Sequence, residues 1–105
     1  MIRVMQIMAG SENGGAENFF VRLSVALSEF KVHQKIITRS NSRRVPKLLS
    51  SNLSVTEAKF GGVFDYRTDK IIRNEFENFL PNIVISWMNR ATFHTSRSLK
   101  KEKFT

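Results

Sequence analysis

Apolar positions in this chain alternate between short continuous runs and stretches with helical spacing. Ile2, Val4, Met5, Ile7 and Met8 form a run interrupted only by Arg3 and Gln6, the pattern of a parallel strand covered on both faces. The next residues, Ala9 to Gly15, read Ala-Gly-Ser-Glu-Asn-Gly-Gly, a cluster of turn formers. Ala16, Phe19, Phe20, Leu23, Ala26, Leu27 and Phe30 then recur at three- and four-residue steps, with Glu17, Asn18, Arg22, Ser24 and Glu29 mostly between them. That spacing predicts an amphipathic helix. Ile36 and Ile37 mark a second strand reaching back to His33. Strand, glycine turn, helix and strand make a βαβ unit with a right-handed crossover.

The polar, basic stretch from Asn41 to Pro46 reads as a loop, and Lys47 to Ser51 as a short helix with Pro46 in its first turn. Leu53 to Ala58 supplies a third strand, and Phe60 to Phe64, with Gly61 and Gly62, a loop. A second amphipathic helix is expected from Tyr66 to Leu80, capped by Asp65, with Ile72, Phe76, Phe79 and Leu80 on its apolar face. Pro81 and Asn82 stop it. Asn82 to Trp87, carrying Ile83, Val84 and Ile85, reads as another buried strand; Met88 to His94 leave its carboxyl end, and a basic helix begins near Ala91. Strands alternating with helices predict an α/β sandwich, with a mainly parallel sheet of about four strands flanked by helices.

The totals narrow the class. A chain of 105 residues supports one modest core. At 41% hydrophobic and 25% charged residues it has a globular composition, not a disordered one. It has no cysteine, which removes disulfides and thiolate metal sites and makes a reducing, cytoplasmic setting the simplest expectation. No run approaches the roughly 18 apolar residues of a membrane-spanning helix. The formal charge of +8 suits polyanionic partners: nucleic acid, phosphorylated ligands or an anionic membrane surface. Arg39, Arg43, Arg44 and Lys47 form one basic cluster, and Arg97, Lys100, Lys101 and Lys103 another; solvated loops and a basic tail are the simple reading of both.

Two places have chemistry. A glycine bend between a first strand and its helix lets backbone N–H groups and the helix dipole meet an anion, and Gly14 and Gly15 sit at that junction. Neither a G-x-G-x-x-G fingerprint nor a P-loop is present, so hydride transfer and NTP hydrolysis lose their main support. The second place is Trp87 to Arg90, just past the last strand, where open α/β sheets bind ligands. There Arg90 suits an anionic group, Asn89 a hydroxyl, and Trp87 either a sugar ring or the core. Both places are expected on one edge of the sheet. His33 and His94 show no metal-ligand spacing and no neighbouring carboxylate, and both read as non-catalytic. No G-x-S-x-G elbow or acid/base pair is visible, so no catalytic or metal residue is assigned. Phe19, Phe20, Phe76 and Phe79 read as helix core positions. Without interleaved aromatics the basic patches make nucleic acid an unlikely partner, and a small basic nucleic-acid-binding module is the alternative class.

Three segments resemble a known family: Ile2-Arg3-Val4-Met5-Gln6-Ile7, then Gly14-Gly15-Ala16-Glu17, and later Pro81-Asn82-Ile83-Val84-Ile85-Ser86-Trp87-Met88-Asn89-Arg90-Ala91. In order and spacing they are similar to the start of retaining GT-B glycosyltransferases of group 1, the glycogen-synthase-like class. The resemblance covers residues 1–95, the acceptor-side Rossmann-like domain, with 96–105 as a basic tail. It implies that Gly14, Gly15 and Ala16 lie near the donor phosphates and that Asn89 and Arg90 border the acceptor. Glu17 either contacts substrate or favours the helix dipole. Where family members often carry a histidine after this last strand, the loop here reads Ser86-Trp87-Met88-Asn89. No cofactor is implied beyond a nucleotide-sugar co-substrate. The implied partners are that donor and a glycan or lipid-linked acceptor, in the cytoplasm or at the inner face of the membrane. The family's second domain, with its Glu-rich donor motif, has no counterpart in these residues, so the chain is expected to be an incomplete domain, inactive alone.

Overall fold

The computed structural model describes residues 2–10 and 15–100. Their order is β1 (Ile2–Met8), α1 (Gly15–Leu27), β2 (Val32–Thr38), α2 (Arg44–Ser50), β3 (Ser54–Glu57), α3 (Tyr66–Phe79), β4 (Ile83–Trp87) and α4 (Met88–Ser98). The four strands form one sheet in the order β3-β2-β1-β4, and every pairing is parallel. This is the α/β, Rossmann-like arrangement expected from the strand and helix alternation. The order reverses between β1 and β4, which makes their carboxyl ends the switch point at which such sheets open a crevice.

The period of two along the strands sorts side chains onto two cores. Met5 and Ile7 of β1 and Ile37 of β2 point to the α3/α4 face, where they join Phe60, Ile72, Ala91 and Leu99. Met8 and Ile36 point to the other face and pack with Phe20 of α1, Leu48 of α2 and Leu53. Burying a side chain such as Phe20 or Ile37 contributes roughly 1.5–3 kcal/mol. Both faces of β1 are therefore tied down, and its carboxyl end is a fixed platform.

Several local expectations change. The helix over α1 buries Glu17, Phe20 and Ser24, whereas Phe19 and Phe30 are 51% and 69% exposed. The stripe that meets the sheet is thus rotated away from the apolar one. The cause lies beneath it, in a buried polar cluster. The Gln6 amide donates to Ser24 Oγ at 3.1 Å and to Gln34 Oε1 at 2.7 Å, and Gln34 donates to the Ser24 carbonyl at 2.8 Å. Trp87 Nε1 donates to Gln6 Oε1 at 3.0 Å. Trp87 also meets Phe19 and Phe20 edge to face, so of its two sequence readings it takes the packing one. Buried amides bonded this fully cost little, and they require Ser24 to face inward.

The helix α2 begins at Arg44, three residues earlier than expected, because the Asn41 side chain accepts from the N–H groups of Arg43 and Arg44 at 2.9 and 2.8 Å. Asp65 caps α3 as expected, its carboxylate accepting from the Thr68 N–H. Leu80 leaves the apolar face; it takes a left-handed conformation that closes the helix and is 65% exposed. β4 is only half-buried, since it lies at the edge of the sheet and not in its middle. α4 starts at Met88 directly after β4 and runs to Ser98, and Leu99 enters the core. The basic stretch after 95 therefore begins inside packed structure. No helix among the described residues is long and apolar enough to cross a membrane.

Candidate functional site

The carboxyl ends of β1 and β2 hold a basic cleft. β1 ends at Met8, paired with Thr38 of β2, and the chain leaves through Ala9 and Gly10. Gly10 has a φ of 65°, the left-handed region that favours glycine. A Cβ placed there would stand 3.0 Å from Glu17 Cγ and 3.1 Å from Arg44 Nη1. The backbone thus passes tight against these two side chains, and both are almost fully buried.

The basic cluster after β2 divides into two pairs. Arg39 donates to the carbonyls of Gly10 at 3.0 Å, Lys59 at 3.1 Å and Phe60 at 3.2 Å, tying the exits of β1 and β3 to β2. Arg44 donates to the carbonyls of Arg39 at 3.1 Å and Ala9 at 3.4 Å. Burial lowers the Arg44 guanidinium from its ordinary value, with Arg39 adding to the effect and the Glu17 carboxylate opposing it. Arg43 and Lys47 remain at the surface and line a cleft of about 450 Å³ together with Asn41, Arg44 and, from α1, Glu17, Asn18, Val21 and Arg22. The simple reading of solvated loop charges fails for Arg39 and Arg44, which bind backbone.

Over 97 residues the chain is 34% identical to the lipopolysaccharide core biosynthesis glycosyltransferase LpsD of Rhizobium meliloti (strain 1021), an alignment covering 87% of this chain and 26% of that protein. The chain is related to a glycosyltransferase. It spans about a quarter of that relative's length. No family model matches the sequence, and no solved structure matches it.

Against this glycosyltransferase relationship, the residues singled out in the sequence fall into two places. Gly15 opens α1 and is exposed, with nothing within 4 Å of an added Cβ; Ala16 follows it, half-buried. Gly14 lies outside the described residues. Glu17 faces the basic cleft. Asn89 and Arg90, in the first turn of α4, are exposed and line a separate recess of about 300 Å³ with Gly62, Val63 and Phe93. Arg90 Nη1 donates to the Phe60 carbonyl at 3.1 Å. Because Met8 of β1 pairs with Trp87 of β4, both groups stand at one rim of the sheet. They occupy its opposite faces, α1 with α2 on one and α3 with α4 on the other.

The sequence reading gave His94 no carboxylate neighbour, and the fold corrects this. His94 is fully buried, with Nδ1 2.7 Å from Asp69 Oδ1, and its Nε2 accepts from the Gly62 N–H at 3.1 Å. Arg97 binds the same carboxylate and lies over the rings of Tyr66 and Phe93. The imidazole has the partner of a catalytic dyad, but its second nitrogen is occupied by backbone. It fastens the β3–α3 loop to α4, which is how the Asn89 and Arg90 recess keeps its wall.

Proposed function

We propose that this chain is the amino-terminal, acceptor-side part of a nucleotide-sugar-dependent GT-B glycosyltransferase of group 1, acting in lipopolysaccharide, glycan or glycolipid synthesis. The observation that carries this reading is the 34% identity to a lipopolysaccharide core glycosyltransferase. The parallel order β3-β2-β1-β4, which matches the first half of a doubly wound sheet, supports it. In this reading residues 1–95 form the Rossmann-like body. Gly14, Gly15 and Ala16 approach the donor phosphates at the amino end of α1, where N–H groups and the helix dipole favour an anion. Glu17 stands beside them, and Asn89 and Arg90 border the acceptor.

Transfer needs donor and acceptor enclosed between two domains, where fixed dipoles act in a water-poor site. In the assembled enzyme the chain's partners are a nucleotide-sugar and a lipid-linked or glycan acceptor, at the cytoplasmic side of a membrane.

A chimera tests this: the chain replaces the matching segment of the rhizobial enzyme, in a strain lacking that enzyme. Restored core extension, read by gel mobility of the lipopolysaccharide and by mass, is the expected result. A chimera that accumulates folded while adding no sugar overturns the reading.

A further inference from the structure

The Asp65 N–H donates to the Gly62 carbonyl at 3.0 Å, closing a tight turn between β3 and α3 with Val63 and Phe64 at its corners. Such corners usually carry glycine, proline or short polar residues. Here the Phe64 side chain is 91% exposed, and Val63 and Tyr66 beside it are exposed as well. From α4, Phe93 comes up against Val63 and is itself partly open to solvent. We infer that this turn is a membrane-docking surface, setting its apolar corner into the interface of an anionic lipid bilayer.

Three features favour a lipid surface. The first is that the exposure is built into the fold. The Gly61 N–H donates to the Asp65 carboxylate at 2.6 Å, the Gly62 N–H to His94 Nε2 at 3.1 Å, and Arg97 to the Val63 carbonyl at 2.6 Å. The backbone of the turn is thereby held while its two apolar side chains project, so insertion does not have to order the loop. The second is shape. A phenyl ring this exposed stands clear of the surface and suits a fluid medium that it can enter. Bases stacking on a nucleic-acid platform would need open ring faces, but the Arg97 guanidinium already lies over Tyr66 and Phe93, 4.3 and 4.8 Å from their centres. Aromatic and aliphatic side chains bordered by cations have the composition of an interfacial anchor. The third is charge. Arg67, Lys70 and Arg90 are exposed around the turn, and Lys59 shortly before it. Asp65 is turned onto Gly61 and Thr68, and Asp69 onto His94 and Arg97, while the exposed Glu57 faces a cleft that it shares with Lys59 and Arg67. The outward charge near the corner is therefore positive, which suits anionic head groups.

The turn adjoins the Asn89 and Arg90 recess, whose lining includes Gly62, Val63 and Phe93. With the corner seated in a bilayer, an acceptor anchored in the same leaflet presents its head group beside that recess. This consequence rests on the glycosyltransferase reading, whereas the docking surface rests on the turn alone.

The test mixes the chain with vesicles of phosphatidylcholine alone and with vesicles holding an equal part of phosphatidylglycerol, and reads bound protein by flotation. Binding to the anionic vesicles only, weakened by added salt, is expected. Phe64→Ser should weaken it about tenfold or more, the effect of losing one inserted aromatic ring. Arg67→Gln should weaken it about fivefold, the effect of one cation at an anionic surface. Both positions are exposed, so these variants keep the fold, and circular dichroism checks that they do. Phe64→Trp should retain binding and add an indole whose emission shifts to the blue on the vesicles. Phe30→Ser removes a ring that is also exposed but lies past the far end of α1, and should bind like the parent. Absence of binding to anionic vesicles, or binding that Phe64→Ser leaves unchanged, overturns the surface. So does self-association that depends on Phe64, which assigns the corner to a second copy of the chain, or tighter Phe64-dependent binding to a single-stranded oligonucleotide, which assigns it to nucleic acid. Vesicle binding with an inactive chimera would sink the transferase reading and leave the surface standing; an active chimera without vesicle binding would do the reverse.

Discussion

His94 and Asp69, 25 positions apart, meet with Nδ1 and Oδ1 at 2.7 Å inside the α3/α4 layer. With the Gly62 N–H donating to Nε2, the hydrogen on Nδ1 must point at the carboxylate. The ring is therefore a brace between α3, α4 and the loop after β3. His94→Ala removes a fully buried ring, leaves the Gly62 N–H without its acceptor and leaves the Asp69 carboxylate to Arg97. The expected loss is about 2–4 kcal/mol, combining a cavity with an unsatisfied N–H. Urea denaturation followed by circular dichroism measures it; a loss below about 1 kcal/mol would show the ring to be dispensable.

Asp65 gives the chain a definite acid dependence. The Thr68 hydroxyl, with the N–H groups of Gly61 and Thr68, holds the Asp65 carboxyl down at about 2 from its ordinary 3.8. A lowered folded-state value means that the charged form is the one the fold stabilises. Its contribution is complete above pH 4 and disappears as pH falls from about 4 toward 2. Asp65→Asn should lower the urea midpoint at pH 7, and the gap between variant and parent should shrink across that window. A gap that stays constant down to pH 2.5 contradicts the assignment.

The sheet was legible because its signals are local. Ile36-Ile37 and Ile83-Val84-Ile85 are apolar runs of strand length, and the Asp65 cap and Pro81 punctuate α3. What the chain order hid was pairing at a distance. Glu17 and Ser24 look like solvent positions in a one-dimensional pattern; they turn inward because Arg44 and the Gln6–Gln34 pair wait there, contributed by residues at least ten positions away. The same blindness covers the Asp69 partner of His94. For the basic cluster, composition announced the charge, but only the fold separates Arg39 and Arg44, bonded to carbonyls, from Arg43 and Lys47 at the cleft. A buried glutamine in the middle of an apolar strand was the one visible hint that α1 would not lie on its greasiest stripe.

That glutamine makes a sharp test of how polar cores respond to loss. Gln6→Met keeps volume but leaves the Trp87 N–H, the Ser24 hydroxyl and the Gln34 carbonyl without this partner. A cost of about 2–4 kcal/mol is expected, since each stranded buried group costs roughly 1–3 kcal/mol and some recover partners by relaxation. Adding Gln34→Met and Ser24→Ala should recover part of the loss, because removing both ends of a hydrogen bond is milder than removing one. The single tryptophan, Trp87, reports unfolding directly by fluorescence. A triple variant less stable than the single one would refute the network account.

Gly10 holds the exit of β1 tight against the buried side chains of Glu17 and Arg44. Gly10→Ala meets two obstacles: a left-handed backbone that costs about 1–2 kcal/mol with a Cβ, and contacts at 3.0 and 3.1 Å with Glu17 Cγ and Arg44 Nη1. Glu17 Cγ lies within a buried side chain and Arg44 Nη1 at the end of a guanidinium bonded to carbonyls, so both must shift, and the fold should survive with a loss of about 1–3 kcal/mol. Yielding moves Arg44 off the Ala9 carbonyl, so Gly10→Ala should lower the urea midpoint, whereas Lys31→Gln, an exposed change at the other end of the sheet, should leave it where it was. A Gly10→Ala variant as stable as the parent would show that the tight left-handed exit of β1 is not required by the fold.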